Sequence, residues 1–257
     1  MNPNLCTIVL RPRSPFEVFD LTLLYVHRNL SGFWRLGAVL VLPVWLAASV
    51  LAWLTDGNPL VLVLPLLALP LIKAPFTLLG GHLLFSRNLG VTGALRALID
   101  VRLWVALLVT GSMGALFATF TLLFGLALWL PMTAFVPESV LLERVTVGRS
   151  LTRARALAAG NLGNAGTASL ASVWLTLWGA AVGETGGQLI VAQGLQLGQP
   201  FGSAMDLQVT PYLLFGMLAV QPLHALYRLL LYIDVRTRVE GWDLQVAFRG
   251  AAIERER

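Results

Sequence analysis

The residue types that most often carry catalysis or bind metals are few in this chain and widely separated. It has three histidines, His27, His82 and His224, and one cysteine, Cys6. Neither the H-E-x-x-H zinc motif nor the G-x-S-x-G nucleophile motif occurs, and one cysteine supplies neither an internal disulfide nor a cluster of thiolate ligands. The sequence therefore predicts no catalytic site, no metal site and no cofactor, and we interpret the protein as a non-enzyme.

The single lysine of the chain stands in a long apolar run that proline interrupts. Lys73 follows Pro65 and Pro70 and precedes Pro75. Proline removes a backbone hydrogen-bond donor, and broken membrane helices line the substrate sites of many transporters. We therefore predict a break in this segment and treat Lys73 as a candidate contact for an anionic lipid or a substrate. The alternative is that the lysine side chain extends to the inner membrane interface.

A polar stripe interrupts another apolar run near the C-terminal end. Gln221, His224 and Arg228 fall on one face of a helix. Within a membrane such a stripe faces protein or water, so it indicates either hydrogen bonds between helices or a binding site. No acidic residue lies in this run or in the run of Lys73, which the topology places at a similar depth. If the cations converge, the phosphate of an anionic lipid is the predicted counter-ion.

Two further groups have spacings that indicate contacts. Gly179, Gly183 and Gly187 form two overlapping G-x-x-x-G steps, which permit close helix packing within the chain or between copies of it. A second group is basic and follows helical spacing between residues 146 and 159: Arg149, Arg153 and Arg155. This basic helix could bind a protein partner or anionic lipid, or it could simply anchor at the interface.

Composition and charge placement define the elements that hold these residues. Only 12% of the residues are charged, whereas 57% are hydrophobic, and soluble domains carry about 25% charged residues. Uncharged runs long enough to cross a bilayer alternate with short segments that hold either several arginines or none. Because arginine and lysine favour the cytoplasmic side, all 18 basic residues can be placed on that side. The net charge of +5 comes from arginines beside the spans, where they can contact anionic lipid headgroups. No nucleic-acid binding is predicted.

The predicted fold is an all-α membrane protein with about six transmembrane helices in three hairpins. A cytoplasmic N-terminal segment covers residues 1–35, the membrane domain covers 36–233, and a cytoplasmic tail covers 234–257. The uncharged stretch 103–135 is too long for one helix across the bilayer, so we divide it by an outer turn near residues 117–121. The predicted spans are 36–54, 60–84, 103–117, 121–136, 165–183 and 210–232.

An amphipathic segment precedes each hairpin on the cytoplasmic side. The first begins with the capping signal Ser14-Pro15-Phe16-Glu17 and presents Phe16, Phe19, Leu23, Val26 and Leu30 on one face. The second is predicted at residues 92–101 with an Arg96–Asp100 pair, and the third at residues 146–159. Alternating residues 241–248 indicate a short strand that could pair with residues 7–10.

Three motifs resemble a known bacterial group. The passage from Pro137 and Glu138 to Glu143, followed by Ser150, Arg153 and Gly160, is one; Leu10-Arg11-Pro12-Arg13-Ser14-Pro15 and Tyr232-Ile233-Asp234-Val235-Arg236 are the others. They are similar to uncharacterised six-span proteins related to the membrane domain that precedes some glycerophosphodiester phosphodiesterases. The sequence contains no phosphodiesterase domain, and it differs from the group in lacking the aromatic residue that usually follows the glycine. It implies a bacterial inner-membrane protein and no hydrolytic activity.

The sequence leaves two functional hypotheses open. The first is a non-enzymatic subunit or scaffold of an inner-membrane complex, with both termini cytoplasmic, that contacts anionic lipid and a protein partner. The second is a small transporter or lipid-handling protein that uses the segment around Lys73. An intramembrane lipid enzyme is a third hypothesis. Association with further copies of the chain is compatible with either of the first two.

Overall fold

The computed structural model describes residues 11–84, 90–120 and 124–241. Within these ranges the chain is helical apart from turns and loops, and they contain no β-strand. The predicted strand pair of residues 7–10 and 241–248 lies almost wholly outside the described residues. The all-α class is therefore confirmed, while the terminal strands stay a prediction.

Four helices of the described chain are long and apolar enough to cross a membrane: Leu30–Leu54, Pro59–Leu84, Leu162–Gly194 and Pro211–Val239. At 1.5 Å per residue each spans the roughly 30 Å of a hydrocarbon core. Much of their surface is apolar and lies outside the protein core, as expected for helices in contact with lipid. The chain is a multi-pass membrane protein.

The helices are numbered in chain order. Short 3-10 turns occupy Pro59–Leu62, Arg96–Ile99 and Ala204–Asp206, and a π-helical turn occupies Leu189–Gly194. The α-helices are α1 Pro15–Arg28, α2 Leu30–Leu54, α3 Val63–Leu84, α4 Val91–Leu95, α5 Val101–Phe120, α6 Phe124–Thr133, α7 Val136–Glu143, α8 Val147–Gly160, α9 Leu162–Gln188, α10 Pro211–Ala219 and α11 Gln221–Glu240.

Local capping chemistry sets two helix starts where the sequence predicts them. The amide of Glu17 donates to the Ser14 hydroxyl (3.3 Å), which begins α1. The amide of Leu213 donates to the Thr210 hydroxyl (3.1 Å), which begins α10 with Pro211 in its first turn. Both are N-caps that satisfy a backbone donor left without a partner at a helix start.

The stretch 103–135 forms separate helices. Helix α5 ends at Phe120 and α6 begins at Phe124, close to the predicted turn, and the residues between them lie outside the described ranges. The two helices pack together, and the indole N–H of Trp129 donates to the Thr110 carbonyl (3.0 Å). The apolar part of α5, Val101–Gly114, is shorter than the four long helices.

The second amphipathic segment differs from its prediction. Helix α4 ends at Leu95 and continues as a 3-10 turn to Ile99, and Asp100 is extended. Asp100 pairs with Arg102 (3.1 Å) and accepts the amide of that residue (3.0 Å), so the predicted pair with Arg96 is wrong. The reason is that i,i+4 neighbours meet only on a continuous α-helix, and here the chain turns to begin α5.

The proline-rich segment also differs from its prediction. Helix α3 is continuous from Val63 to Leu84 and includes Pro65, Pro70 and Pro75. The predicted break is therefore wrong. Pro65 lies in the first turn, where no intrahelical donor is lost, and each later proline removes only one hydrogen bond. Membrane helices tolerate such losses where neighbouring groups compensate for them.

The chain divides into two compact units. Unit 1 comprises residues 1–28, 74–170 and 225–257, and unit 2 comprises residues 29–73 and 171–224. In unit 2 the indole N–H of Trp45 donates to the Pro211 carbonyl (2.8 Å), and α2 packs along α10 around a buried apolar cluster. In unit 1 α7 and α8 pack together, and each also packs against α5.

Candidate functional site

A buried ion pair lies at the start of α7 in unit 1. Pro137 occupies the first turn of the helix and Glu138 follows it. The Glu138 side chain is 3% exposed and that of Arg228, from α11, is 15% exposed. The guanidinium contacts both carboxylate oxygens, with Nε at 2.9 Å and Nη2 at 3.1 Å, and Nη2 also donates to the Ala134 carbonyl. The two contacts neutralise both charges away from water, and the Nη2 contact is a hydrogen bond.

A second acid, at the end of α7, joins two more arginines. Glu143 pairs with Arg236 of α11 (3.1 Å) and with Arg153 of α8, and its carboxylate accepts the Tyr232 hydroxyl. The Arg236 guanidinium also lies over the Tyr232 ring, 5.7 Å from its centre. We call this set the arginine–glutamate network; its members are Glu138, Glu143, Arg153, Arg228, Tyr232 and Arg236.

A second cluster in unit 1 fixes the start of the described chain to α11. Asp234 accepts the backbone amide of Arg13 (2.7 Å) and the side-chain amide of Asn164 (3.3 Å). It also pairs with Arg238 (2.8 Å), which in turn donates to the Arg13 carbonyl (2.6 Å). The carboxylate thereby joins the N-terminal segment, α9 and α11.

The two clusters bring together the three motifs on which the sequence resemblance rests. Arg13 comes from the first motif, Glu138 and Glu143 from the second, and Tyr232, Asp234 and Arg236 from the third. The sequence did not identify these pairs because their members are up to 221 residues apart. A signal was present nonetheless: Glu138 and Glu143 are the only acids between Asp100 and Glu184, beside a segment rich in arginine.

The basic helix predicted at residues 146–159 is α8, and its three arginines have different surroundings. Arg149 is exposed, whereas Arg153 belongs to the arginine–glutamate network. The Arg155 guanidinium lies over the Trp129 ring, 5.4 Å from its centre. The predicted basic face is therefore divided between solvent and internal contacts.

In unit 2 a polar chain joins α9 to α11. His224 and Gln221 are both fully buried. The His224 Nε2 lies 2.6 Å from the Ser172 hydroxyl and its Nδ1 lies 3.4 Å from the Gln221 carbonyl oxygen. Gln221 donates to the Met217 carbonyl (2.7 Å) and approaches the Thr176 hydroxyl (3.5 Å). Neutral groups therefore contact both ring nitrogens, which suits a helix–helix connection.

The glycine series lies on the contact between α9 and α10 in unit 2. A Cβ atom at Gly179 would lie 2.6 Å from the Gly216 carbonyl oxygen, and one at Gly183 would lie 2.5 Å from the Tyr212 carbonyl oxygen. A Cβ at Gly187 would meet the Tyr212 ring. These positions are too close for any side chain, so the series packs within one chain.

The cationic pocket predicted for Lys73 and Arg228 rested on the lack of an acid within either span. The structure supplies Arg228 with a protein counter-ion, Glu138, from a different helix. The premise that Arg228 needs a lipid phosphate is therefore wrong for this residue. Lys73 is half-buried in α3. Its contact with lipid or substrate stays a prediction.

The charged side chains of this site mainly connect helices to one another. In the parts of the chain that the structure describes, no three His, Cys, Asp or Glu side chains are grouped to hold a metal ion. Glu138, Glu143 and Asp234 are each neutralised by at least one arginine. Acids neutralised in this way can hold helices together. Comparison with protein-family models, with curated proteins and with solved structures found no match for this chain.

Proposed function

We propose that the protein is a non-enzymatic subunit or scaffold of a complex in a bacterial inner membrane. The observation that carries the proposal is the arginine–glutamate network. It uses the two acids of α7, Glu138 and Glu143, to hold α7, α8 and α11 together. The charged members of the network are thus committed to fixing one arrangement of helices, which is what a docking platform requires.

The proposed topology has six spans, with α5 and α6 as a short hairpin and with both termini in the cytoplasm. The arginine-bearing loops around residues 87–102 and 144–155 then face the cytoplasm, in agreement with the distribution of basic residues. The resemblance to the six-span bacterial group supports the same arrangement. In this topology α8 presents the exposed Arg149 to a partner or to anionic headgroups.

Affinity purification tests the proposal. The full-length protein, tagged and extracted from its own membranes in a mild detergent, should carry one other protein at a fixed ratio. Arg149→Glu should reduce that ratio, because it reverses the charge of the exposed arginine, whereas Arg149→Lys should preserve it. Recovery of the chain alone, with the same lipid content in both variants, would contradict a scaffold role.

A small transporter or lipid-handling protein was the alternative. Its motivation was a helix broken by proline around Lys73, and α3 is continuous through all three prolines. The prolines of α3 therefore do not supply the break on which this alternative depends. Recovery of the chain alone with tightly bound anionic lipid would favour it.

A further inference from the structure

The turn before α5 presents two large apolar side chains away from the protein. Ile99 is 78% exposed and Val101 is 70% exposed, and they flank Asp100. Exposed apolar surface in water is unfavourable by about 25 cal/mol for each Å². Two neighbouring β-branched residues held in this position indicate that another apolar phase covers them.

Polar contacts hold this apolar tip, defined as Ile99 and Val101, in its conformation. Asp100 accepts the amide of Arg102 (3.0 Å) and pairs with its guanidinium (3.1 Å). The indole N–H of Trp104 donates to the Leu98 carbonyl (2.8 Å). Because both ends of the turn are held in this way, the tip cannot fold back onto the protein without losing these hydrogen bonds.

Arginines surround the apolar tip. Arg96 lies three residues before Ile99 in the 3-10 turn, a spacing that places the two side chains on one side. Arg102 donates to the Arg144 carbonyl (2.9 Å), which brings the loop between α7 and α8 beside the tip. Arg96 and Arg144 are exposed. Residues 85–137 contain three arginines, Arg87, Arg96 and Arg102, and one acid, Asp100, so this part of the chain is basic.

The apolar tip is also continuous with a membrane segment. The apolar part of α5 runs from Val101 to Gly114, so Val101 belongs to both. An apolar tip at the end of a membrane helix, with arginines around it and a tryptophan one turn further, has the composition of a membrane interface. A protein partner at this position would have to occupy space next to the entry of α5 into the lipid.

We propose that the apolar tip inserts into the acyl edge of the inner leaflet and that Arg96 and Arg144 contact the phosphates of anionic lipids. Guanidinium groups bind phosphate through paired hydrogen bonds, and basic residues near an anionic surface add attraction. The inference rests on the proposed topology and names the lipid contact of the proposed scaffold. The tip then fixes the depth at which the α7–α8 loop lies.

Depth measurements on the purified full-length protein test the insertion. In a Cys6→Ser background, Ile99→Cys carries an environment-sensitive fluorophore, and Thr92→Cys, exposed on the neighbouring α4, is the matched control. In nanodiscs that contain phosphatidylglycerol, lipids brominated on the acyl chain should quench the label at residue 99 and leave the label at residue 92 bright. Equal quenching at the two positions would overturn the insertion, and it is the result expected if the tip instead binds a protein.

Lipid selectivity tests the arginine contacts. The preference of the protein for spin-labelled phosphatidylglycerol over phosphatidylcholine should fall in Arg96→Gln with Arg144→Gln, by about fivefold for each arginine removed. A control with the same loss of charge at two other exposed arginines, Arg28→Gln with Arg35→Gln, should retain more of the preference. Equal losses in the two variants would overturn the site. Neither measurement needs the partner complex, so failure here and failure of the scaffold proposal are distinguishable.

Discussion

At the scale of single residues, the main feature of the described part of unit 1 is an ion pair that is largely removed from solvent. Glu138 and Arg228 are almost removed from solvent and are joined by two short contacts. Such a pair adds little net stability relative to apolar residues of the same shape, because both charges had to leave water. Loss of one member alone is costly, since the other charge stays buried without compensation.

Glu138→Gln should therefore lower the free energy of unfolding by about 3 to 5 kcal/mol. Glu17→Gln is the matched control. Glu17 is exposed, and its contact with Arg11 is long, at 3.8 Å, so its loss should cost less than about 1 kcal/mol. Thermal unfolding in detergent measures both. The combined change Glu138→Leu and Arg228→Met should recover much of the loss. Equal stability of the two single variants would show that the ion pair is not buried in the membrane-embedded protein.

His224 gives a second residue-scale prediction. Ser172→Ala removes the hydroxyl 2.6 Å from its Nε2 and leaves a buried ring nitrogen without that partner. We expect a loss of about 1 to 3 kcal/mol in the free energy of unfolding. Ser172→Thr, which keeps the hydroxyl, should lose less. If both variants unfold as the original protein does, the hydrogen bond contributes nothing to stability.

At the scale of elements, the contact between α9 and α10 depends on glycines, which have no side chain. Gly179 and Gly183 let the backbones of α9 and α10 approach so closely that an added Cβ would meet main-chain atoms. Gly186 lies on the same helix, and nothing is within 4 Å of the position of its Cβ. One helix therefore carries both a glycine that packing requires and a glycine that it does not.

Gly183→Ala should destabilise the protein, by about 1 to 3 kcal/mol for an overpacked contact. Gly186→Ala should be neutral or stabilise it by about 0.5 to 1 kcal/mol, because alanine restricts the unfolded chain more than glycine does. The difference between their unfolding temperatures in the same detergent is the measurement. A similar effect of both changes would contradict the close approach of α9 and α10.

What the sequence could predict at this scale followed from local signals. Ser14 and Thr210 act on amides within three residues, so the starts of α1 and α10 were predictable. Asp100 was assigned to Arg96 because a continuous helix was assumed, although the chain turns there. Glu138 and Arg228 are 90 residues apart, and no periodicity in the chain connects them. The motifs could therefore be recognised one at a time in the sequence, but the contacts between them could not be predicted.

At the scale of the whole molecule, four long apolar helices make the chain a multi-pass membrane protein, and the sidedness is a proposal. Asn58 and Gln193 belong to segments that carry no arginine or lysine, and both are exposed. Thr152, on α8, is exposed among arginines. These three positions therefore report the orientation of the chain in the membrane.

In a Cys6→Ser background, Asn58→Cys and Gln193→Cys should react with an impermeant thiol reagent in intact cells, because they lie outside in the proposed topology. Thr152→Cys should react only after the membrane is permeabilised. Mass-tag labelling on a gel measures each position. The reverse pattern would invert the topology and would move the apolar tip to the opposite leaflet.

The contact between Arg13 and Asp234 also has a consequence for the order in which the protein is made. These residues are 221 positions apart, which at about 5 to 20 residues per second means roughly 10 to 45 seconds of translation. During that time the amide of Arg13 and the α1 face that packs on Tyr227 have no partner from α11, because α11 has not been synthesised. Helix α1 must therefore wait until α11 has left the ribosome. A chain that stalls before Asp234 therefore keeps this surface of α1 open.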